Sequence, residues 1–148
     1  MKSIFDKATR DSIVSRAEKL SESNKEQWGK MNVCQMMKHC ILADEMFQGK
    51  KRYKRQFIGR LFGTIGLKRL LADEKPMPHN APTLSDFRVK DNNFNFSEEK
   101  KKWIELISGY GNFSNPGFVH WFFGKMTDEQ IGQFVYKHID HHLRQFGA

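Results

Sequence analysis

Residues 127–147 read TDEQIGQFVYKHIDHHLRQFG, and this stretch decides the fold class. Thr127 and Gln130 have the spacing of a capping box, in which two side chains bond reciprocally to the backbone at a helix start. Side chains at steps of three and four then form one helical face. That face consists of Ile131, Phe134, Val135, His138 and His142. Gly147 supplies the stop. The stretch predicts a long helix that carries two histidines on its inward face.

In the rest of the sequence, the same periodicity predicts helices over about residues 4–21, 32–49 and 53–71. It also predicts a shorter helix over residues 97–108, which starts at Ser97. Asn32 and Gln35 form a second capping box, and His39 lies on the apolar stripe that follows. Residues 72–96 and 109–125 are predicted to be irregular. The chain is therefore expected to be all-α.

The helix predicted over residues 53–71 has one apolar side and three glycines. Its apolar side is expected to consist of Phe57, Leu61, Ile65, Leu70 and Leu71. Glycines 59, 63 and 66 weaken the helix, because a glycine in a helix interior costs about 1 kcal/mol relative to alanine. They indicate close packing or a break near residue 63.

Length and composition bound the class of protein. A chain of 148 residues with 39% hydrophobic and 13% aromatic residues suits one globular domain, residues 1–148. No run resembles a signal peptide or a membrane span, so we expect a cytoplasmic protein without a membrane partner. Cys34 and Cys40 lie six residues apart on a predicted helix and are expected to be free thiols, which fits a reducing compartment.

The formal net charge of +8 raises the possibility of a nucleic-acid partner. Residues 50–69 contain eight lysines and arginines and no acidic residue. A solvated helix face is the simpler interpretation, and nucleic acid is not the favoured partner. A basic nucleic-acid- or anion-binding module without catalysis remains an alternative function.

The histidines carry the chemistry. His138 and His142 are four residues apart, so their Cβ atoms lie about 5–6 Å apart on one helix face. Two imidazoles at that separation can share one ion at nitrogen–metal distances of about 2.0–2.1 Å. His39, also on an apolar face, is the natural third ligand. Such a site leaves a coordination position open for chemistry. The alternative is that these histidines are only buried polar groups of a structural bundle.

Other polar residues are candidates for the pocket or for supporting the ligands. His141 lies beside the pair and suits a rim or substrate contact. Gln145 lies one turn beyond His142, where it could support that ligand. His120 could reach the site from its loop, although a surface position is favoured. Asn80 could line the pocket mouth.

Several motifs resemble those of the DinB-like four-helix bundles, which include the damage-inducible DinB proteins and the bacillithiol- or mycothiol-dependent transferases. The match is closest to an uncharacterised bacterial branch of that superfamily. It rests on residues 28–31 (WGKM), 77–83 (MPHNAPT), 122–125 (FFGK) and 137–147 (KHIDHHLRQFG). One position departs from the branch, because Trp121 follows His120 where proline is usual.

The resemblance implies an up-down-down-up four-helix bundle with a long loop and a short extra helix between helices 3 and 4. It also implies a metal triad of His39, His138 and His142, with zinc or nickel as the ion, and a homodimer. The implied activity is a thiol-dependent, bacillithiol-type S-transfer with a low-molecular-weight thiol as co-substrate and a small-molecule substrate. A metal-dependent hydrolase at the same site is the alternative, since a metal can lower the pKa of water to about 7.

Overall fold

The computed structural model describes residues 1–79, 81 and 83–148 of the chain. Over these residues the chain is mostly helical, which confirms that part of the expected fold. The helices are α1 (Lys7–Glu18), α2 (Val33–Phe47), α3 (Phe57–Leu70), α4 (Phe96–Gly109) and α5 (Asp128–Gln145). Residues 109–125, expected to be a loop, contain a small antiparallel hairpin of β1 (Val119–His120) and β2 (Gly124–Lys125). Short 3-10 turns lie at Ser85–Phe87 and Tyr110–Asn112.

Local signals in the sequence set where the helices begin. The two capping boxes, at Asn32 before α2 and at Thr127 before α5, are both present and confirm those predictions. The start of α4 differs from the prediction, because the side chain of Asn95, and not that of Ser97, accepts a hydrogen bond from the backbone at Glu98. An asparagine two residues earlier caps the free N–H groups and lengthens the helix.

Four helices enclose the core. α1 and α2 each contact both α4 and α5. The largest fully buried side chains come from several of these elements and the segments that flank them; they include Trp103, Tyr110, Phe47 and Phe146. The short extra helix of the prediction is thus a full member of the packing. The reason is its apolar side, where Trp103, Leu106 and Ile107 are buried.

The glycines of α3 pack closely, which was one of the two outcomes expected for them, but the apolar side of the helix faces outward. Phe57, Leu61 and Ile65 are 72%, 57% and 53% exposed. The glycine side of the helix packs instead. A Cβ atom on Gly59 would lie 2.5 Å from the carbonyl oxygen of Phe122. Only a side without side chains allows the hairpin backbone to approach this closely, so the bulky side of α3 faces outward.

Hydrogen bonds hold α3 in place at both ends. The backbone N–H of Gln56 donates to the carbonyl of Trp121 at 2.9 Å. The buried ammonium of Lys137 donates to the carbonyls of Leu70 at 2.6 Å and Asp73 at 2.8 Å. These carbonyls lie at and beyond the C-terminus of α3, where a cation also complements the helix dipole. No helix in the described ranges is long and apolar enough to cross a membrane.

Candidate metal centre

Contact between α2 and α5 brings three histidines together. His39 comes from α2, and His138 and His142 come from α5, one turn apart. One ring nitrogen from each lies within 4.8 Å of those of the other two. His39 and His142 are 7% and 6% exposed, and His138 is partly buried. We call these three residues the histidine triad.

The tautomer of His39 follows from its neighbour. Its Nδ1 lies 2.9 Å from the backbone carbonyl oxygen of Phe87. A carbonyl oxygen can only accept, so Nδ1 carries the proton and donates. In the neutral ring, Nε2 then has a free lone pair directed away from that carbonyl. This arrangement, with one ring nitrogen donating to the backbone and the other free, is usual for histidines that bind metals.

Gln145 sets the tautomer of His142 by the same reasoning. Its side-chain Nε2 donates to the carbonyl oxygen of Trp28 at 2.7 Å. Its Oε1 therefore faces the Nδ1 of His142, at 2.9 Å. Since an amide oxygen only accepts, His142 donates from Nδ1 and keeps its lone pair on Nε2.

The remaining distance in the triad suits a shared ion. The Nε2 atoms of His39 and His138 lie 3.2 Å apart. Two nitrogens bound to one tetrahedral zinc ion at about 2.0–2.1 Å are separated by about 3.3 Å. Without an ion, the Nε2–H of His138 can donate to the lone pair of His39 across the same gap. The donor set and the spacing therefore fit a divalent metal.

Burial favours the neutral, metal-binding form of all three rings. Removal from water lowers the pKa of His39, and it lowers the pKa of His138 and of His142 well below the usual value for histidine. Repulsion among the neighbouring histidines lowers the last two further. At neutral pH, protons therefore compete little with a metal for these nitrogens.

An aromatic rim lies beside the triad. The ring of His141 lies 5.1 Å from that of His142 and 5.4 Å from that of Trp28. Trp28 stacks on His79, with ring centres 3.9 Å apart. Trp28, His79 and His141 line an open cavity of about 370 Å³, together with Arg144 and other residues. The rim therefore provides a recess for a small molecule beside His141, the residue that precedes His142 in α5.

His120 does not lie at the surface. It is 4% exposed, and its ring packs against Phe123 and Phe134. Its Nδ1 accepts hydrogen bonds from the backbone N–H groups of Phe122 and Phe123 at 3.1 and 3.2 Å, and burial lowers its pKa to about 3. This ring thus organises the turn of the hairpin.

Two other residues near the triad have partners elsewhere. Asp140 binds Arg16 at 2.6 Å and Arg144 at 2.7 Å, on the side of α5 away from His138. Cys40 is fully buried and donates to the sulfur of Met36. Asn80 lies outside the described residues.

Three supports of the site were not predicted. The carbonyl of Phe87 accepts from His39, and the carbonyl of Trp28 accepts from Gln145, which in turn orients His142. Contacts through backbone atoms leave no signature in a sequence. His79 was passed over although it lies within the 77–83 motif. A histidine between prolines in a long loop was the available signal.

Comparison with known proteins places the chain in a family without assigning it an activity. A family model described as a protein of unknown function, DUF1569, matches residues 5–148. No curated protein and no solved structure gives a significant match. Because the family model covers nearly the whole sequence, the chain belongs to the DUF1569 family.

Proposed function

We propose that the chain is a metal-dependent enzyme that holds one divalent ion, zinc or nickel, on His39, His138 and His142. The observation that carries this proposal is the pair of fixed tautomers. Phe87 and Gln145 both accept from Nδ1, so the Nε2 lone pairs of His39 and His142 are available to an ion. Imidazole donors of this kind suit zinc, nickel, copper and iron.

For the fold, we propose a single DinB-like domain over residues 1–148, with α1, α2, α4 and α5 as its four bundle helices. The mutual contacts of these helices support the assignment. The expected up-down-down-up order requires a long crossing connection between the second and third bundle helices. Residues 48–95, which contain α3, have the length for that connection. This assignment replaces the expected one, in which α3 was the third bundle helix.

The reaction that we propose is the attack of a low-molecular-weight thiol on an electrophilic carbon of a small molecule. A carbon–sulfur bond forms as the bond from that carbon to its leaving group, such as chloride, breaks, and the thiol proton passes to solvent. A divalent ion with an open position lowers the pKa of a thiol that reaches it and so makes a thiolate available at neutral pH. The triad provides the three ligands, and Phe87 and Gln145 hold two of them in orientation. The rim residues Trp28 and His141 would orient the small molecule in the adjacent cavity.

The cysteines of the chain are poor candidates for the nucleophile. Burial raises the pKa of the Cys40 thiol well above its usual value, and burial also raises that of Cys34. Both therefore stay protonated at neutral pH, and an inert, buried thiol is a weak nucleophile. A thiol reaction at this site requires a thiol supplied from solution, which favours a thiol co-substrate.

The first test is metal content. We expect untagged protein to contain about one zinc or nickel ion per chain and to gain melting temperature when metal is added. His142→Ala should abolish binding. His141→Ala is the matched control, since it removes the neighbouring histidine of the same helix but none of the three ligands. A content below about 0.2 ions per chain, with no thermal gain, would leave the histidines as structural groups.

The second test separates transferase from hydrolase. The metal-loaded protein is incubated with bacillithiol or another low-molecular-weight thiol and an activated aryl chloride, and in parallel with nitrophenyl esters. Transfer that depends on thiol, requires metal and is lost in His142→Ala supports the S-transferase. Ester hydrolysis without thiol, with the same metal dependence, would favour the hydrolase. A homodimer is also proposed, and light scattering after gel filtration measures it.

A further inference from the structure

One side of α3 is an exposed apolar surface. Its side chains recur at one helix face and are 53–72% exposed; they are Phe57, Ile58, Leu61, Phe62 and Ile65. We call this set the α3 face. Single exposed apolar side chains are ordinary, but five large ones on one helix mark a site of interaction.

The surroundings of the α3 face are strongly basic. The cations of residues 50–69 are Lys50, Lys51, Arg52, Lys54, Arg55, Arg60, Lys68 and Arg69, with no acidic residue among them. Lys51 pairs with Glu45 at 2.9 Å. The other seven lysines and arginines form no salt bridge within the described part of the chain. The helix that carries the apolar face, and the segment that leads into it, thus hold positive charge without a salt-bridge partner in the described part of the chain.

The outward direction of this face is built into the packing. The opposite side of α3 is occupied by Gly59 and Gly63, which lie against the backbone of the hairpin, and by the buried Leu67. The helix is also tied by hydrogen bonds at both ends. Turning the apolar residues inward would drive their side chains into the hairpin backbone.

We propose that the α3 face docks on the surface of an anionic lipid bilayer, with the helix lying in the plane of the interface. Apolar side chains enter the boundary between headgroups and acyl chains, while lysine and arginine side chains reach the anionic headgroups. The helix has 14 residues, which is too few to cross a bilayer that needs about 20. The proposal concerns peripheral binding and is independent of the metal site.

Charge disfavours the simplest competing occupant, a second copy of the chain docked through the same face. A second copy docked face to face would bring two sets of seven unneutralised cations together, which opposes association. Nucleic acid would satisfy the cations, but it would place phosphates against large aliphatic and aromatic side chains. An anionic bilayer offers both an apolar layer and a sheet of negative charge.

The test uses the full-length protein and vesicle flotation. Vesicles of phosphatidylcholine alone are compared with vesicles that contain about one third phosphatidylserine. We expect strong binding to the second kind only, weakened by added salt. Each cation near an anionic surface contributes a factor of about five in affinity, so Arg60→Glu with Lys68→Glu should lower binding by more than about 20-fold.

Matched variants make the outcome decisive. Lys25→Glu with Lys101→Glu changes the net charge equally at exposed positions outside residues 50–69, and it should reduce binding much less. Phe57→Ser with Phe62→Ser should reduce binding by about tenfold or more, while circular dichroism and metal content stay unchanged. Three results would each overturn the proposal: no binding to either vesicle, a dimer that Phe62→Ser dissociates, or tighter binding to DNA than to lipid that the same variants weaken.

Discussion

Replacing Gln145 by methionine tests how the metal centre is supported. Methionine has nearly the size of glutamine but neither hydrogen-bonding group, so the change removes two bonds and little volume. The Nδ1–H of His142 loses its acceptor at 2.9 Å, and the carbonyl of Trp28 loses its donor at 2.7 Å. Gln145 is 3% exposed, so water replaces neither bond easily.

The expected effects follow from these two losses. Removing a residue that orients a metal-bound histidine lowers metal affinity by about 10–100-fold, or about 1.4–2.7 kcal/mol. Leaving two buried polar groups without partners lowers the free energy of unfolding of the metal-free protein by about 2–4 kcal/mol. A competition titration of zinc against a chromophoric chelator measures the first effect, and urea denaturation measures the second.

Gln145→Glu is the informative partner variant. A carboxylate still accepts from His142 and makes the ligand more basic, but it faces the Trp28 carbonyl with a second acceptor. We expect metal affinity equal to or above that of the wild type, with a lower free energy of unfolding. If Gln145→Met binds zinc within about twofold of the wild-type affinity, the role given to Gln145 is refuted.

Three further predictions concern stability and pH. Burial raises the pKa of Asp44 to about 7, although hydrogen bonds from Tyr110 and Trp103 act in the opposite direction. The protonated carboxyl group therefore contributes stability that is fully present below about pH 4 and is lost as the pH rises through about 7. Asp44→Asn, which cannot ionise, should therefore gain a few kcal/mol in stability relative to the wild type between about pH 4 and 8, measured by urea denaturation; a gap independent of pH would contradict this. Gly63→Ala should lower the free energy of unfolding by about 1–3 kcal/mol, because the added Cβ meets the hairpin backbone. Gly66→Ala adds only ordinary contacts to the rings of Phe122 and Phe123. In the same assay it should be neutral or stabilising by up to about 1 kcal/mol. Because burial lowers the pKa of each histidine of the triad, zinc affinity should change little between about pH 7 and 6 and fall only in more acidic solution. A steep loss of zinc affinity centred near about pH 6.5 in the chelator titration would show that the rings are solvated.

The sequence predicts those parts of the fold that local interactions determine. The capping boxes before α2 and α5 are present because a cap needs only residues three apart. The placement of α3 failed for the opposite reason. Periodicity identifies an apolar face but does not say what it packs against, and the close approach of the hairpin to Gly59 and Gly63 is a tertiary event.

For the candidate site, the sequence indicates the side chains, with Gln145 as a possible support of His142, but not the backbone groups that hold them. His138 and His142 share a helix face by spacing alone, and His39 is a candidate because it lies on another apolar face. The carbonyl of Phe87 orients His39, and the carbonyl of Trp28 holds Gln145, which orients His142; every residue has such a carbonyl. Only the folded chain shows which one lies within hydrogen-bonding distance.

These supports have a consequence for how the chain would acquire the proposed metal. Phe87 is 48 residues from His39, and Trp28 is 117 residues from Gln145. Contacts between such distant segments form slowly because the chain must first close large loops. A partly folded chain with intact helices would therefore keep the contact of His142 with Gln145 but would lack the oriented lone pair of His39 and the carbonyl that holds Gln145. Metal capture should thus mark the final step of folding, and bound metal would distinguish native molecules from helical intermediates.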